Sequence, residues 1–399
     1  MAEANVPATD RLWTKDFLLI ILANFFMIFV QYTLLTLLPV YVLDLGGTET
    51  QAGLMTGVFT LVALALRPFI GVMLDTRSRK MVLLLGYSII FLSVLSIAYT
   101  DSIIGILAIR VLYGVGFSAA STAGGTIAAD ILTNGRLAEG IGYYGMSNSV
   151  AQSVSAFTGL AIIKYAGYHA LFIFLFLVMT AAIACGLGVR CKKVIVKGGE
   201  KKEEAEEKGI FMFLEASTIP PAIMIIFLAS ANSATVTFLV KYAFSRGVDD
   251  IGLFFVLFAI IAMSTRLVMG KIARRFGFAF ILLTGAACLL LSQVIILFST
   301  NLYHFMAAAV FYGLAQGFYL PILNTIIVLL ASPEKKGKAT ATYYSALDVA
   351  MGFGAIFFGL VAQLIGFTAV YLISSVNCLI AIAFYHFMLR TILMDKDYH

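Results

Sequence analysis

Apolar residues dominate this chain in blocks of about 20, and polar residues fall between the blocks rather than alternating with them. A helix rises 1.5 Å per residue, so each block is long enough to cross a hydrocarbon core of about 30 Å. Twelve such spans are predicted, at 17–43, 51–71, 82–99, 103–128, 141–163, 169–189, 218–243, 251–270, 278–299, 303–331, 341–364 and 368–390. A β-barrel would show short strands with period-two alternation instead. The expected fold class is therefore an all-α polytopic membrane protein. No cleavable signal peptide is expected, because polar residues through Asp16 lead straight into a full-length span.

Composition supports this reading. The chain is 61% hydrophobic and 12% charged, against about 25% charged in an ordinary soluble domain. The net charge of +6 is no nucleic-acid signal, because the cations follow the connections. Arg11/Lys15, Arg77/Arg79/Lys80, Arg136, Arg190 to Lys208, Lys271/Arg274/Arg275, Lys335/Lys336/Lys338 and Arg390/Lys396 alternate with connections that carry none, such as 44–49, 100–101 and 299–301. The positive-inside bias then places the basic segments and both termini in the cytoplasm of a cell-membrane protein. The cysteines Cys185, Cys191, Cys288 and Cys378 show no CxxC spacing and read as small apolar packers.

The chain divides into a cytoplasmic N-terminus (1–16), a six-helix bundle (17–189), a linker (190–217), a second six-helix bundle (218–390) and a cytoplasmic C-terminus (391–399). The linker carries a mixed-charge run with almost no apolar residues, so it cannot bury a core. The two bundles repeat. Gly53, Arg67, Gly71 and Ser78 recur 199 residues later as Gly252, Arg266, Gly270 and Gly277, and Tyr113-Gly114 recurs as Tyr312-Gly313. At an offset of 200, Tyr143-Tyr144 matches Tyr343-Tyr344 and Gly159 matches Gly359. Six spans per repeat is an even number, so both halves enter the membrane in the same sense.

Between spans 2 and 3 the chain reads Arg67-Pro68-Phe69-Ile70-Gly71-Val72-Met73-Leu74-Asp75-Thr76-Arg77-Ser78-Arg79-Lys80. Gly71, Asp75, Arg79 and Lys80 resemble the signature loop of the major facilitator superfamily (MFS). Thr76 stands where that family usually has a cation, and Ser78 where it prefers glycine. The second-half copy keeps Gly270 and Gly277 but has Arg274 where Asp75 would be. Span 4, Arg110 to Ala120, resembles a second motif of the family, with Tyr113 in place of a common glutamine. The resemblance covers essentially the whole chain, and parallel six-helix repeats are how MFS halves are related. It is greatest to bacterial drug and metabolite proton antiporters, although span 5 lacks the Gly-Pro motif that many antiporters carry.

The resemblance implies packing of helices 2 and 11 across the interface between the halves, and a cavity lined by helices 1, 4, 7 and 10. Asp75 is then expected to latch the halves through the helix 11 N-terminus, which begins near Thr340 and attracts negative charge. Asp130 would hold Arg77 or Arg79 beside it, and Gly71 would let the backbones approach. The alternative is a plain topogenic loop. Arg110, buried at a cost of roughly 2.5–3.5 kcal/mol, is either a cavity cation or a snorkelling side chain. Asp348 is the one acid well inside a span of the second half, and its repeat mate is Asn148. A carboxylate in a low dielectric resists ionisation and so can load and release a proton; the alternative is a structural bond across helices 2 and 11. Asp348 and Arg110 are not expected to pair, because about 10 Å of membrane depth separates them.

Polar stripes at spacings of three, four and seven mark single helix faces. They comprise Asn24/Gln31, Asn148/Gln152/Ser155, Asn232/Thr235 and Tyr312/Gln316/Tyr319. With Tyr113, the residues Asn24, Gln31, Asn232, Thr235, Tyr312, Gln316 and Tyr319 are the cavity and substrate candidates; interhelical bonding is the alternative for each. Asp348 and Arg110 are the proton-coupling candidates. No His-Glu-x-x-His helix, P-loop or Ser/His/Asp set is visible, so no enzyme, no metal and no cofactor are expected. The expected function is proton-coupled efflux of small organic molecules by alternating access, energised by the proton gradient. Uptake of a nutrient or organic ion is the alternative, and a membrane-embedded enzyme or receptor a remote one. The expected partners are a small-molecule substrate and the lipid bilayer, with the chain a monomer.

Overall fold

The computed structural model describes residues 12–132, 136–190, 216–331 and 336–389, and the regular structure among them is helical. The first four helices are α1 (Lys15–Asp44), α2 (Glu49–Thr76), α3 (Arg79–Ala98) and α4 (Ile103–Ile131). The stretch Leu137–Gly188 is one rod bent at Gly167, where φ is 79°, giving α5 (137–166) and α6 (168–188). After α7 (Ile219–Ser245), Gly252–Leu297 bends likewise at Gly277, φ 80°, into α8 (252–276) and α9 (278–297). The chain closes with α10 (Leu302–Leu330), α11 (Lys336–Ile365) and α12 (Phe367–Phe384), carried on by a π turn at Tyr385–Leu389. The greater part of the expected linker, 191–215, lies outside the described residues.

Local chemistry sets the helix ends. Thr14, Ser102 and Asn301 accept from the backbone N–H groups of Phe17, Gly105 and His304, and Thr48 forms a capping box with Gln51. Three boundaries differ from expectation by about a turn or more, the first being α2, which runs on to Thr76 where its span was expected to end at 71. The basic segment Lys271–Arg275, expected between spans, forms the last turns of α8, because Gly277 with positive φ reverses the chain in one residue. In the first half the corresponding place holds Ser78 at φ −62°, and the turn there takes Arg77 and Ser78 together. Helix α11 begins at Lys336, about a turn before Thr340.

The internal repeat is visible as repeated contacts. A Cβ on Gly114 would lie 2.7 Å from the Phe59 carbonyl oxygen and 3.0 Å from Val62 Cβ. A Cβ on Gly313 would lie 2.9 Å from the Phe258 carbonyl oxygen and 2.7 Å from Ile261 Cβ. Phe59 and Val62 are the repeat mates of Phe258 and Ile261, so α4 sits on α2 as α10 sits on α8.

The first six and last six helices meet along two antiparallel seams, α2 with α11 and α8 with α5. In the first, a Cβ on Gly53 would lie 2.3 Å from the Ala355 carbonyl oxygen, and one on Gly57 would lie 2.3 Å from Ile356 Cγ1. Further along, Gly352 faces Leu61 at 3.1 Å. The repeat mates of Gly57 and Gly352 are Val256 and Gln152, which have side chains where the first seam has bare backbone. The second seam is correspondingly looser: a Cβ on Gly252 would meet Phe157 at an ordinary 3.5 Å.

The end of the bundle carrying Arg77, Arg79 and Lys80 is here called the basic end, and the other the far end. At the far end two ion pairs cross between the halves: Lys241 with Asp44, and Lys164 with Asp250, each at 2.9 Å. Tyr168 also donates to Asp44 at 2.7 Å. Gly71, near the basic end, was expected to let two backbones approach. Among the described residues a Cβ there would meet nothing within 4 Å. The close approach of α2 to α11 lies instead at Gly53 and Gly57, toward the far end.

Candidate functional site

Among the described residues, four charged side chains sit well inside the helices. Arg67 lies in α2, Arg110 in α4, Arg266 in α8 and Asp348 in α11. Arg67 and Asp348 meet across the first seam, Nε to Oδ2 at 2.7 Å, with their side chains 25% and 16% exposed. The Arg67 guanidinium also lies over the Tyr344 ring, 5.7 Å from its centroid. A charge held away from water needs an opposite charge or a dense set of dipoles. The pair supplies that, and it joins the two halves of the chain at one point.

Arg67 was legible only as a repeated scaffold position. The signal for its partner lay in depth. Arg67 is nine residues from the α2 terminus at Thr76, about 13 Å at 1.5 Å per residue. Asp348 is twelve residues above the α11 start at Lys336, so the two reach similar depths on helices expected to touch.

Arg110 does not pair with Asp348, as its depth implied. It is fully buried, its Nε donates to the Met55 carbonyl at 2.8 Å, and its guanidinium lies 4.2 Å from the Phe59 centroid and 4.7 Å from that of Tyr113. It is therefore held inside the first six helices by one backbone acceptor and two aromatic faces. Its Nη1 and Nη2, the Tyr113 hydroxyl and Gln31 Oε1 are buried without a hydrogen-bond partner.

Most of the remaining polar candidates fall into three separate networks. Asn232 in α7 is a hub: Tyr312 and Gln316 of α10 both donate to its Oδ1, and its Nδ2 faces Met351 Sδ of α11 at 3.7 Å. Tyr312 also packs on Phe254 and Phe258 of α8, with centroids at 5.6 and 5.0 Å. Thr235 belongs to a different network. It bonds Gln293 of α9, whose Nε2 donates to the Ala231 carbonyl and whose Oε1 accepts from Ser374 of α12. Gln293 and Ser374 were missed; a glutamine in the middle of an apolar span was the available signal. Asn24 donates to Ser147 at 2.9 Å and to Asn148, tying α1 to α5. Tyr319 is buried, and its hydroxyl has no partner. A narrow central cavity lies between Tyr32, Thr36, Gln152, Val236, Phe255, Phe258 and Tyr312, at the meeting of both halves.

At the basic end the expected cluster divides. Arg79 pairs with Asp130, within the first six helices. Lys80 Nζ donates to the carbonyls of Leu187 and Val189 at 2.7 and 2.8 Å, so it caps the C-terminus of α6. Arg77 is the exposed C-cap of α2. The side chains of Asp75 and of Arg274, its second-half counterpart, lie outside the described residues, and so does the expected latch.

Comparison with known proteins decides the family. The model of the Major Facilitator Superfamily matches residues 20–302 and 223–393. The chain belongs to this superfamily. It is 21% identical over 349 residues to an uncharacterized MFS-type transporter of Methanocaldococcus jannaschii, covering 85% of this chain and 89% of that protein. It is 20% identical over 340 residues to the staphylopine export protein of Staphylococcus aureus, covering 83% and 85%. A point mutant of the nucleoside transporter NupG shares the fold with a TM-score of 0.77 at 13% identity, covering 93% and 99%. This MFS chain is thus a multi-pass membrane transporter.

Proposed function

We propose that this MFS transporter is a proton-coupled exporter of small organic molecules in the cell membrane, with its basic end and both termini in the cytoplasm. The observation that carries the reading is the Arg67–Asp348 ion pair, which links the two halves at mid-span. Alternating access needs a contact between halves that one chemical event can make or break. Protonation of Asp348 removes the charge that Arg67 faces and frees the first seam; loss of the proton restores it. Tyr344, and Tyr32 of α1, which feels both Arg266 and Asp348, are the neighbouring groups that would respond. Arg110 is a second coupling candidate, held apart from this pair. The far-end pairs Lys241–Asp44 and Lys164–Asp250 describe the state in which that end is closed. Export rather than uptake is favoured by the likeness to an export protein over most of both chains.

The test uses inside-out membrane vesicles containing a pH-sensitive dye and a panel of candidate substrates. The wild-type protein should release protons with one or more panel members. Asp348→Asn should abolish flux driven by a pH gradient while preserving substrate exchange across the membrane. Unchanged dependence on the gradient in Asp348→Asn would remove this residue as the coupling site.

A further inference from the structure

The second seam contains an unneutralised cation beside a cavity. Between α5 and α8 lies a space of about 150 Å³. Its polar lining includes Arg266, Gln152 and Gln316, and its apolar lining includes Met146, Met263 and Leu267. Arg266 Nε is buried without a hydrogen-bond partner, and among the described residues no acid pairs with this side chain. Its repeat mate Arg67 faces Asp348. At the matching place on α5 the chain has Asn148, which is engaged with Asn24. A buried guanidinium nitrogen without a counter-ion is costly, so the site suits an anion that the described residues do not supply.

The walls say which anion. Arg266 and the carboxamide of Gln152 mark the inner part of the cavity. Met263 and Leu267, 46% and 69% exposed, lie on the outer surface of the helices. A single guanidinium balances one negative charge, and its planar fork matches a carboxylate. The cavity holds a headgroup and not a whole lipid, while its apolar rim continues the hydrocarbon phase. We propose that this cleft binds the carboxylate of a single-tailed amphiphilic organic anion, taken in sideways from the bilayer between α5 and α8. The binding stands on the cavity alone; that the bound anion is cargo rests on the export reading above.

The test measures equilibrium binding of radiolabelled decanoate to the full chain in phosphatidylcholine nanodiscs, without any pH gradient. Saturable binding is expected, with affinity at least about tenfold weaker in Arg266→Gln, the scale of a lost charged hydrogen bond. Arg266→Lys should retain part of it. Met263→Trp, which fills the cavity and leaves Arg266 in place, should weaken it even if Arg266→Gln proves unstable. Decanol should bind far more weakly than decanoate. Equal decanoate binding in wild type, Arg266→Gln and Met263→Trp would overturn the proposal, and so would decanol matching decanoate. Stoichiometric displacement by phosphatidylglycerol would also overturn it, by assigning the site to a lipid headgroup. No saturable decanoate binding by the wild type alongside intact gradient-driven export would refute this site alone; intact binding without such export would refute the export reading alone.

Discussion

The two seams that join the halves descend from one repeat, yet they are built differently. Along α2 and α11, glycines at 53, 57, 352 and 359 bring backbone against backbone, and Arg67 finds Asp348. Along α8 and α5, Val256 and Gln152 replace two of those glycines, Asn148 replaces the acid, and Arg266 lines a cavity. Both seams retain the arginine. What differs is whether the opposing helix supplies the countercharge. On the proposed function, the seam with its own countercharge is the one a proton would switch, and the seam without one is the one proposed to take a ligand.

The largest expected effect comes from the charged pair. Asp348→Ala leaves a half-buried Arg67 unpaired and should be the most destabilising of these changes, because breaking a partly desolvated pair costs more than the pair contributes. Thermal unfolding in detergent should show that the Arg67→Ala/Asp348→Ala double variant loses less than the two single variants added together. Arg266→Ala, which breaks no pair, should cost less than either. A cost for Arg266→Ala equal to that of Asp348→Ala would erase the distinction between the seams.

A smaller effect separates the glycines. Gly53→Val would force a side chain into a carbonyl oxygen already 2.3 Å from the nearest position of a Cβ, an overpacking worth about 1–3 kcal/mol. A Cβ on Gly252 would meet Phe157 and Leu160 at ordinary contact distances, so Gly252→Val should stay within about 0.5 kcal/mol, the range of substitutions that create no special feature. The smallest effect belongs to the far-end clasp. Lys164 and Asp250 are 59% and 62% exposed at their side chains, so Lys164→Gln should shift thermal unfolding least of these changes. Its effect should also shrink as salt is raised.

The sequence made some of this plain and hid the rest, for physical reasons. Helices and their repeat were legible because apolar block length and glycine register are local properties. Gly114 and Gly313 prove it, since each meets the corresponding carbonyl of its own half. Partner choice between the halves was not legible. It depends on how two rigid bundles sit against each other, so Asp348 could be seen as exceptional while Arg67 remained a scaffold position. The same reason explains Gly71, which has no close neighbour among the described residues. The bonds by which Lys80 caps α6 were not legible either, because nothing in the loop itself says where the C-terminus of α6 lies. Thr235 shares a helix with Asn232, yet it turns toward α9 and Gln293. Three residues rotate a side chain by about 300°, enough to change which neighbour it meets.

The most direct test of the unequal seams is a pair of distance measurements by spin labels at the basic end. One label pair spans α2 and α11, at Val72 and Ala341; the other spans α8 and α5, at Leu267 and Ile141. All four positions are exposed. Asp348→Asn should lengthen and broaden the α2–α11 distances while leaving the α8–α5 distances comparatively unchanged. Identical α2–α11 distributions in wild type and variant, or equal shifts across both seams, would contradict the claim that Arg67 and Asp348 control one seam alone.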